Sequence, residues 1–220
     1  MNEICKKIEA EKLFAIINGL KRDNGAQVEK ALYDGGVRLM AAAFDAAHPE
    51  VWAETVAAIR EAAARNDGEM CVGAASVLEV AQVELTKSAG GCFVISPVTC
   101  DEVIRKAREL GLICIAGVQT ATEAMHAYRA GADYVSLFPA GTMGSKYFLD
   151  ISTTLRQVPI MAFGGLTPGN IPEFADAGCC GYGVSSGILR RVWVESGNYS
   201  RITEAAEIFT RSVRKAHEGR

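Results

Sequence analysis

A chain of 220 residues has room for one large domain or two small ones. Its 49 % hydrophobic and 22 % charged residues are the make-up of a soluble globular protein. A formal net charge of −3 and a pI of about 5.7 give no electrostatic reason to expect nucleic acid or an anionic membrane as a partner.

Residues 1–10 read as a short polar helix without the apolar stretch of an export signal, so a cytoplasmic location is expected. No run of about 18 apolar residues is present to span a bilayer. From there the chain alternates short apolar runs with longer amphipathic segments. The runs are 13–19, 38–44, 70–77, 92–97, 112–118, 134–140, 159–165 and 181–187. Helical patterns follow them. One covers 49–66, with Val51, Val56 and Ile59 on one side, and another covers 101–110, with Val103, Ile104 and Ala107 facing in. Glycines such as Gly36, Gly90, Gly111, Gly131 and Gly178 stand where these helices stop. Strands apolar along their whole length are buried on both faces, as parallel strands are. Eight strand–helix units at steps of about 25 residues predict a compact (β/α)8 TIM barrel over residues 1–220, in the α/β class. A doubly wound open sheet is the alternative, but the chain lacks the glycine-rich first turn of a dinucleotide fold.

The seven cysteines form no C-x-x-C pair, and Cys71, Cys92 and Cys114 sit in apolar runs. They read as small buried hydrophobes in a reducing compartment, with no zinc-ligand spacing. No metal and no cofactor is expected.

In such a barrel, function gathers at the C-terminal ends of the strands. Those ends read Asn18; Ala41, Ala43, Phe44 and Asp45; Ala75 and Ser76; Ser96 and Pro97; Ala116 and Gly117; Ser136 and Phe138; Phe163, Gly164 and Gly165; and Ser185, Ser186 and Gly187. The last two sets, with a helix expected from about Ile188, suit a phosphate held by bare backbone amides. The alternative is that these glycines only make tight turns.

The segments G-G-V-R-L-M at 35–40, V-G-A-A-S-V at 72–77, I-S-P at 95–97, L-F-P-A at 137–140 and F-G-G-L-T-P-G-N at 163–170 carry a resemblance in order and spacing. The chain resembles the 2-keto-3-deoxy-6-phosphogluconate / 4-hydroxy-2-oxoglutarate aldolases over nearly its whole length. The resemblance implies a TIM barrel, a homotrimer, and a pyruvate-forming retro-aldol reaction through a lysine imine with a glutamate shuttling protons. It also implies substrate phosphate near Gly164, Gly165 and Ser186. This chain departs from the family pattern inside the pocket. The lysine falls at Ser136, the glutamate at Ala41, a threonine at Ala43 and a carboxylate-binding arginine near Asp45. Strand three reads Ala75-Ser76 for G-T, strand five Ala116 for proline, and strand seven Phe163 for threonine. Ser185 replaces a glycine, and Asn18 an arginine found in many members. A hydroxyl forms no imine. Losing lysine and glutamate together avoids stranding either buried charge, a loss that costs about 3–5 kcal/mol. Departures concentrated in one cavity suggest a pocket emptied and re-purposed, by an engineer or in a natural relative that abandoned imine chemistry.

Three readings of that pocket follow. In the first, Ser136 is a hydrolytic nucleophile with His48 as base and Asp45 orienting it. Gly183-Val184-Ser185-Ser186-Gly187 also matches a nucleophile elbow, but that triad would depend on His217. In the second, Ala41, Ala43, Ala75 and Ala116 leave volume for an apolar small-molecule ligand between Phe44, Phe138 and Phe163. In the third, Lys146 takes over the imine. The remaining aromatic and histidine positions read as structural: His126 on an outer helix face, Trp52 and Trp193 as packing anchors, and Tyr147-Phe148 as a subunit contact.

Overall fold

The structure is a computed structural model and describes residues 3–19, 22–65 and 68–219. Helix α1 (Glu3–Glu11) precedes β1 (Leu13–Ile17), α2 (Arg22–Asp34) and β2 (Leu39–Ala43). A 3-10 turn (Pro49–Val51) then leads into α3 (Trp52–Arg65), β3 (Cys71–Ala75), α4 (Val80–Ser88), β4 (Phe93–Ser96) and α5 (Asp101–Glu109). Next come β5 (Ile113–Val118), α6 (Ala121–Ala130), β6 (Tyr134–Leu137), α7 (Ala140–Met143) and α8 (Ser145–Thr154). The chain ends with β7 (Ile160–Phe163), α9 (Ile171–Asp176), β8 (Tyr182–Val184), α10 (Arg191–Glu195) and α11 (Tyr199–His217). All strand pairs are parallel, and β1 pairs with β8 to close the barrel. The expected (β/α)8 fold is therefore the one observed.

Several elements differ in detail. The pattern over 49–66 resolves into the 3-10 turn and α3; its last residue, Asn66, lies outside the described residues, as do Met1 and Asn2 of the first helix. That first helix is more than a polar cap. Ile4, Cys5 and Ile8 lie on its inner face and join the cluster inside the barrel, with Ile8 fully buried. Among the described residues no helix is long and apolar enough to cross a membrane, and no group of three His, Cys, Asp or Glu could hold a metal ion.

Register decides which side chains face the axis, because successive residues of a strand point to opposite faces. Phe14, Ala41, Ala43, Ala75, Phe93, Ile95, Ile115 and Phe163 share the interior cluster. Ala42, Ala74, Cys114, Ala116 and Val135 pack instead between barrel and helices. Inside, Phe14 stands edge-on to Phe93, with centroids 5.4 Å apart and planes at 84°, and its centroid is 5.6 Å from that of Phe163. Such pairs add about 0.5–1.5 kcal/mol each beyond the burial itself. The rings fit because two neighbours have no side chain. A Cβ at Gly73 would lie 2.4 Å from the Phe93 carbonyl oxygen, and one at Gly183 would lie 2.4 Å from the Phe163 ring. Burial pushes the Cys114 and Cys180 thiols up to about 12, so they act as small apolar fillers.

Gly117 is tighter still: a Cβ there would lie 2.2 Å from the carbonyl carbon and oxygen of Pro97. Gly25, in α2, faces open space. Gly117→Ala should therefore lose about 3 kcal/mol of stability in urea unfolding through overpacking. Gly25→Ala should gain about 0.5–1 kcal/mol from reduced chain entropy and better helix propensity.

Candidate functional site

Ser136 lies on β6 opposite Gly117 on β5 and Met161 on β7, on the inward side, and is 1 % exposed. Ala41, Ala43 and Ala75 also face inward, and none exceeds 9 % exposure. Their methyls belong to the same packed cluster as Phe14, Phe93 and Phe163. The apolar volume expected beside these alanines would lie in an interior they share with the phenyl rings. Ala116 does not share that inward face. Its register partners are Ser96 and Val135, and it packs in the layer under the helices, leaving Gly117 as the residue that faces Ser136. Phe163 is 2 % exposed and belongs to the interior, whereas Phe138 lies on the rim beside Gly164 and is exposed.

Asp45 and His48 do meet. His48 Nδ1 lies 3.0 Å from Asp45 Oδ2, and Asp45 Oδ1 accepts a 3.0 Å bond from Ala47 N–H. Trp52 Nε1 donates to the Asp45 carbonyl at 2.7 Å, and its ring packs against Phe44. The loop after β2 is thus folded around one carboxylate. Yet the dyad is solvated, with the His48 side chain 60 % exposed. It follows β2, which stands four strands from β6 in a barrel of eight, diametrically across it. Asp45 and His48 form a pair; Ser136 is buried on the far wall. The other histidines are committed elsewhere: His126 Nε2 contacts Asp101 at 2.7 Å, and His217 Nε2 contacts the Tyr182 hydroxyl at 2.9 Å. The elbow serine, Ser185, accepts its 2.9 Å bond from Asn18 Nδ2, which ties the end of β8 to the end of β1.

The proposed anion site differs from its expected form in two ways. Gly164 N–H is spent on the Gly183 carbonyl at 3.1 Å, so it continues the sheet ladder. After β8 no helix begins at Ile188. Residues 185–188 form a turn in which Ile188 and Leu189 N–H donate to the Ser185 carbonyl at 3.0 and 2.9 Å, and α10 starts only at Arg191. The amides of Gly165, Ser186 and Gly187 make no backbone hydrogen bond among the described residues.

Lys146 points to solvent, 89 % exposed, beside Asp150. Phe148 is fully buried against Phe174, edge-on at 5.6 Å, so it is core and not a subunit contact. Tyr147 donates to the Gln119 carbonyl at 2.8 Å. One feature escaped sequence reading altogether. Ser76, just beyond β3, has φ +56°, a left-handed conformation that costs a non-glycine residue about 1 kcal/mol or more and recurs at functional rims. A serine carries no sequence signal for it.

The fold is a closed barrel of eight parallel strands alternating with helices. The KDPG and KHG aldolase family model matches residues 3–205. The 2-dehydro-3-deoxy-6-phosphogalactonate aldolase of Escherichia coli K12 is 30 % identical over 209 residues, 93 % of this chain and 95 % of that one. The 2-dehydro-3-deoxy-phosphogluconate aldolase of Treponema pallidum is 27 % identical, with 94 % and 96 % covered. A solved native KDPGal structure superimposes with a TM-score of 0.82 at 29 % identity, over 93 % of this chain and 95 % of that one. The chain belongs to the KDPG and KHG aldolase family.

The Asp45–His48 pair yields a pH signature. The Asp45 carboxylate hydrogen-bonded to the ring raises the His48 pKa, and the same bond lowers that of Asp45. The stabilisation from raised His48 is complete at low pH and is lost as pH rises through its folded-state pKa. That from lowered Asp45 is lost as pH falls through the depressed carboxylate pKa. The pair is therefore charged between the two. An NMR titration should find His48 above the ordinary value of about 6.5, and Asp45→Asn should lower it toward that value.

Proposed function

We propose that this barrel does not run the imine-dependent aldol cleavage of its family through β6, and that it has kept the capacity to bind a phosphorylated small molecule at the ends of β7 and β8. The observation that carries the first half is the side chain at β6. The family resemblance assigns the imine lysine to Ser136, and a buried hydroxyl supplies no amine to condense with a keto group. Ala41, at the position the resemblance gives to the proton-shuttling glutamate, offers only a methyl. No lysine is among the buried residues described, and Lys146 is 89 % exposed, outside the barrel interior. Hydrolysis at Ser136 has less support, since no histidine contacts its hydroxyl among the described residues.

The second half rests on Gly165, Ser186 and Gly187. Among the described residues their amides have no backbone partner, and they follow neighbouring strands, the arrangement that lets backbone N–H groups hold an anion. Gly165 has φ +71°, which turns its peptide out of the sheet. Assembly as a trimer of such barrels is part of the same reading. It draws support from a relative of known structure, 29 % identical with a TM-score of 0.84, over 94 % of this chain and 73 % of that one. That relative is a protein cage designed by fusing symmetric oligomeric domains.

Incubation with pyruvate and borohydride followed by intact-mass measurement tests the first half. No adduct is expected, while the Escherichia coli relative treated in parallel checks the reagents. A gain of one reduced pyruvate per chain would return the protein to imine chemistry, and peptide mapping would name the lysine.

A further inference from the structure

The face opposite the strand C-termini carries a second concentration of reactive side chains. There Ile4, Cys5 and Ile8 of α1 pack on the interior cluster, and the Lys7 ammonium donates to the Gly68 carbonyl just ahead of β3. Cys71 opens β3, and Cys92 directly precedes β4. Ala74 pairs with Val94, and Cys92 N–H donates to the Val72 carbonyl at 2.9 Å, so Cys92 stands one step diagonally from Cys71 on the neighbouring strand. Such a diagonal spans about 6 Å between Cα atoms, within the range of about 4.4–6.8 Å that a disulfide bridges. The two thiols are hydrogen-bonded to each other, and Cys92 Sγ is also 3.2 Å from the Val72 carbonyl oxygen. Cys92 is half-buried, and Cys71 is at the margin of the interior, 9 % exposed against 0 % for Cys114.

We infer that Cys71 and Cys92 are a site of reversible oxidation, closed to a disulfide by a hydroperoxide, with Cys71 as the attacking sulfur and Cys92 as the resolving one. Such chemistry needs a thiolate in a reachable, electropositive setting and a second sulfur beside it. The Cys92 thiol on its sulfur lowers the Cys71 pKa and burial opposes this; the Lys7 ammonium adds to the lowering, and Glu11 works against it. The same contact raises Cys92, which keeps its proton until the second step. Burial raises Cys5, Cys114, Cys179 and Cys180 instead. In the first step the Cys71 thiolate attacks one peroxide oxygen and the O–O bond breaks. The other oxygen takes the proton that Cys71 gave up and leaves as an alcohol or water, and Cys71 becomes a sulfenic acid. In the second step the Cys92 sulfur attacks the Cys71 sulfur. An S–S bond forms, the S–O bond breaks, and the sulfenic hydroxyl leaves as water with the Cys92 proton. Two thiols have lost two electrons and the hydroperoxide has gained them. A dithiol reverses the change by exchange through the disulfide. The cross-link joins the starts of β3 and β4, at the other end of the barrel from Gly165, Ser186 and Gly187.

The test treats the full chain with hydrogen peroxide under native conditions, blocks the remaining thiols with N-ethylmaleimide and maps the non-reduced peptides by mass spectrometry. A peptide pair joining Cys71 to Cys92, lighter by two hydrogens and released by dithiothreitol, is expected. Cys92→Ser keeps a hydroxyl donor beside Cys71 and should leave a Cys71 sulfenic acid that dimedone traps. Cys71→Ser should give dimedone labelling at Cys92 about tenfold or more slower than that, since Cys92 lacks the thiolate character. A disulfide between any other pair, a Cys71–Cys92 link formed only in urea, or both thiols still open to N-ethylmaleimide after peroxide would overturn the site. Equal dimedone labelling at the two positions would overturn the order of attack. The outcome is independent of the borohydride result, since a thiol forms no imine with pyruvate.

Discussion

The interior of this barrel is governed by the close approach of rings to bare backbone. Phe93 stands against Gly73 and Phe163 against Gly183, and Phe14 bridges the two rings from β1. A single Cβ at either glycine would meet its neighbour at 2.4 Å, well inside contact distance. With those glycines in place, three aromatic side chains fill the axis and the closed parallel sheet has a solid centre. Everything on the upper face is placed relative to that centre: Ser136 is buried against the wall, the loops carry the solvated polar groups, and open space is displaced outward between strands and helices.

That displacement separates chemistries that a sequence reading brings together. Asp45 and His48 form the kind of carboxylate–imidazole pair that activates a nucleophile, but they work in water, on a loop organised around Trp52. Ser136 has the burial a nucleophile can use, but its strand neighbours offer it Gly117 and Met161. A proton needs a hydrogen-bonded path of about 3 Å steps. Strands on opposite sides of a packed barrel do not provide one. The Asn18–Ser185 bond likewise converts a residue that looks like a nucleophile into a clasp between the first and last strands.

How much of this was legible in the sequence depends on what each signal encodes. Uninterrupted apolar runs between amphipathic segments encode strands buried on both faces, and eight of them were enough for the barrel. The same continuity hides parity. In a run such as 112–118, every residue is apolar or glycine, so nothing marks Gly117 as inward and Ala116 as outward; only pairing with β4 and β6 decides it. Phe148 read as a surface contact because its burial depends on Phe174, 26 positions on in another helix. The pairing of Asp45 with His48 was within reach, since three residues on a short loop keep side chains close, whereas their distance from Ser136 is a property of strand order. The segment after β8 misled because Ser185-Ser186-Gly187 precedes helix-forming residues, while the chain first closes a turn on the Ser185 carbonyl.

The small residues on the inward face have one more consequence. Ala41, Ala43, Ala75 and Ser136 are set on strands whose backbone is held by the ladder and by the ring–glycine contacts, so none of the four defines the shape of the sheet. Scaffold and functional vocabulary are thus written in different residues. A change at these four sites alters what lines the interior without touching the ladder, while a side chain at Gly73, Gly117 or Gly183 collides with a neighbouring strand or ring. Chemistry and architecture can therefore change at separate positions, the first at four inward side chains and the second at three bare backbones.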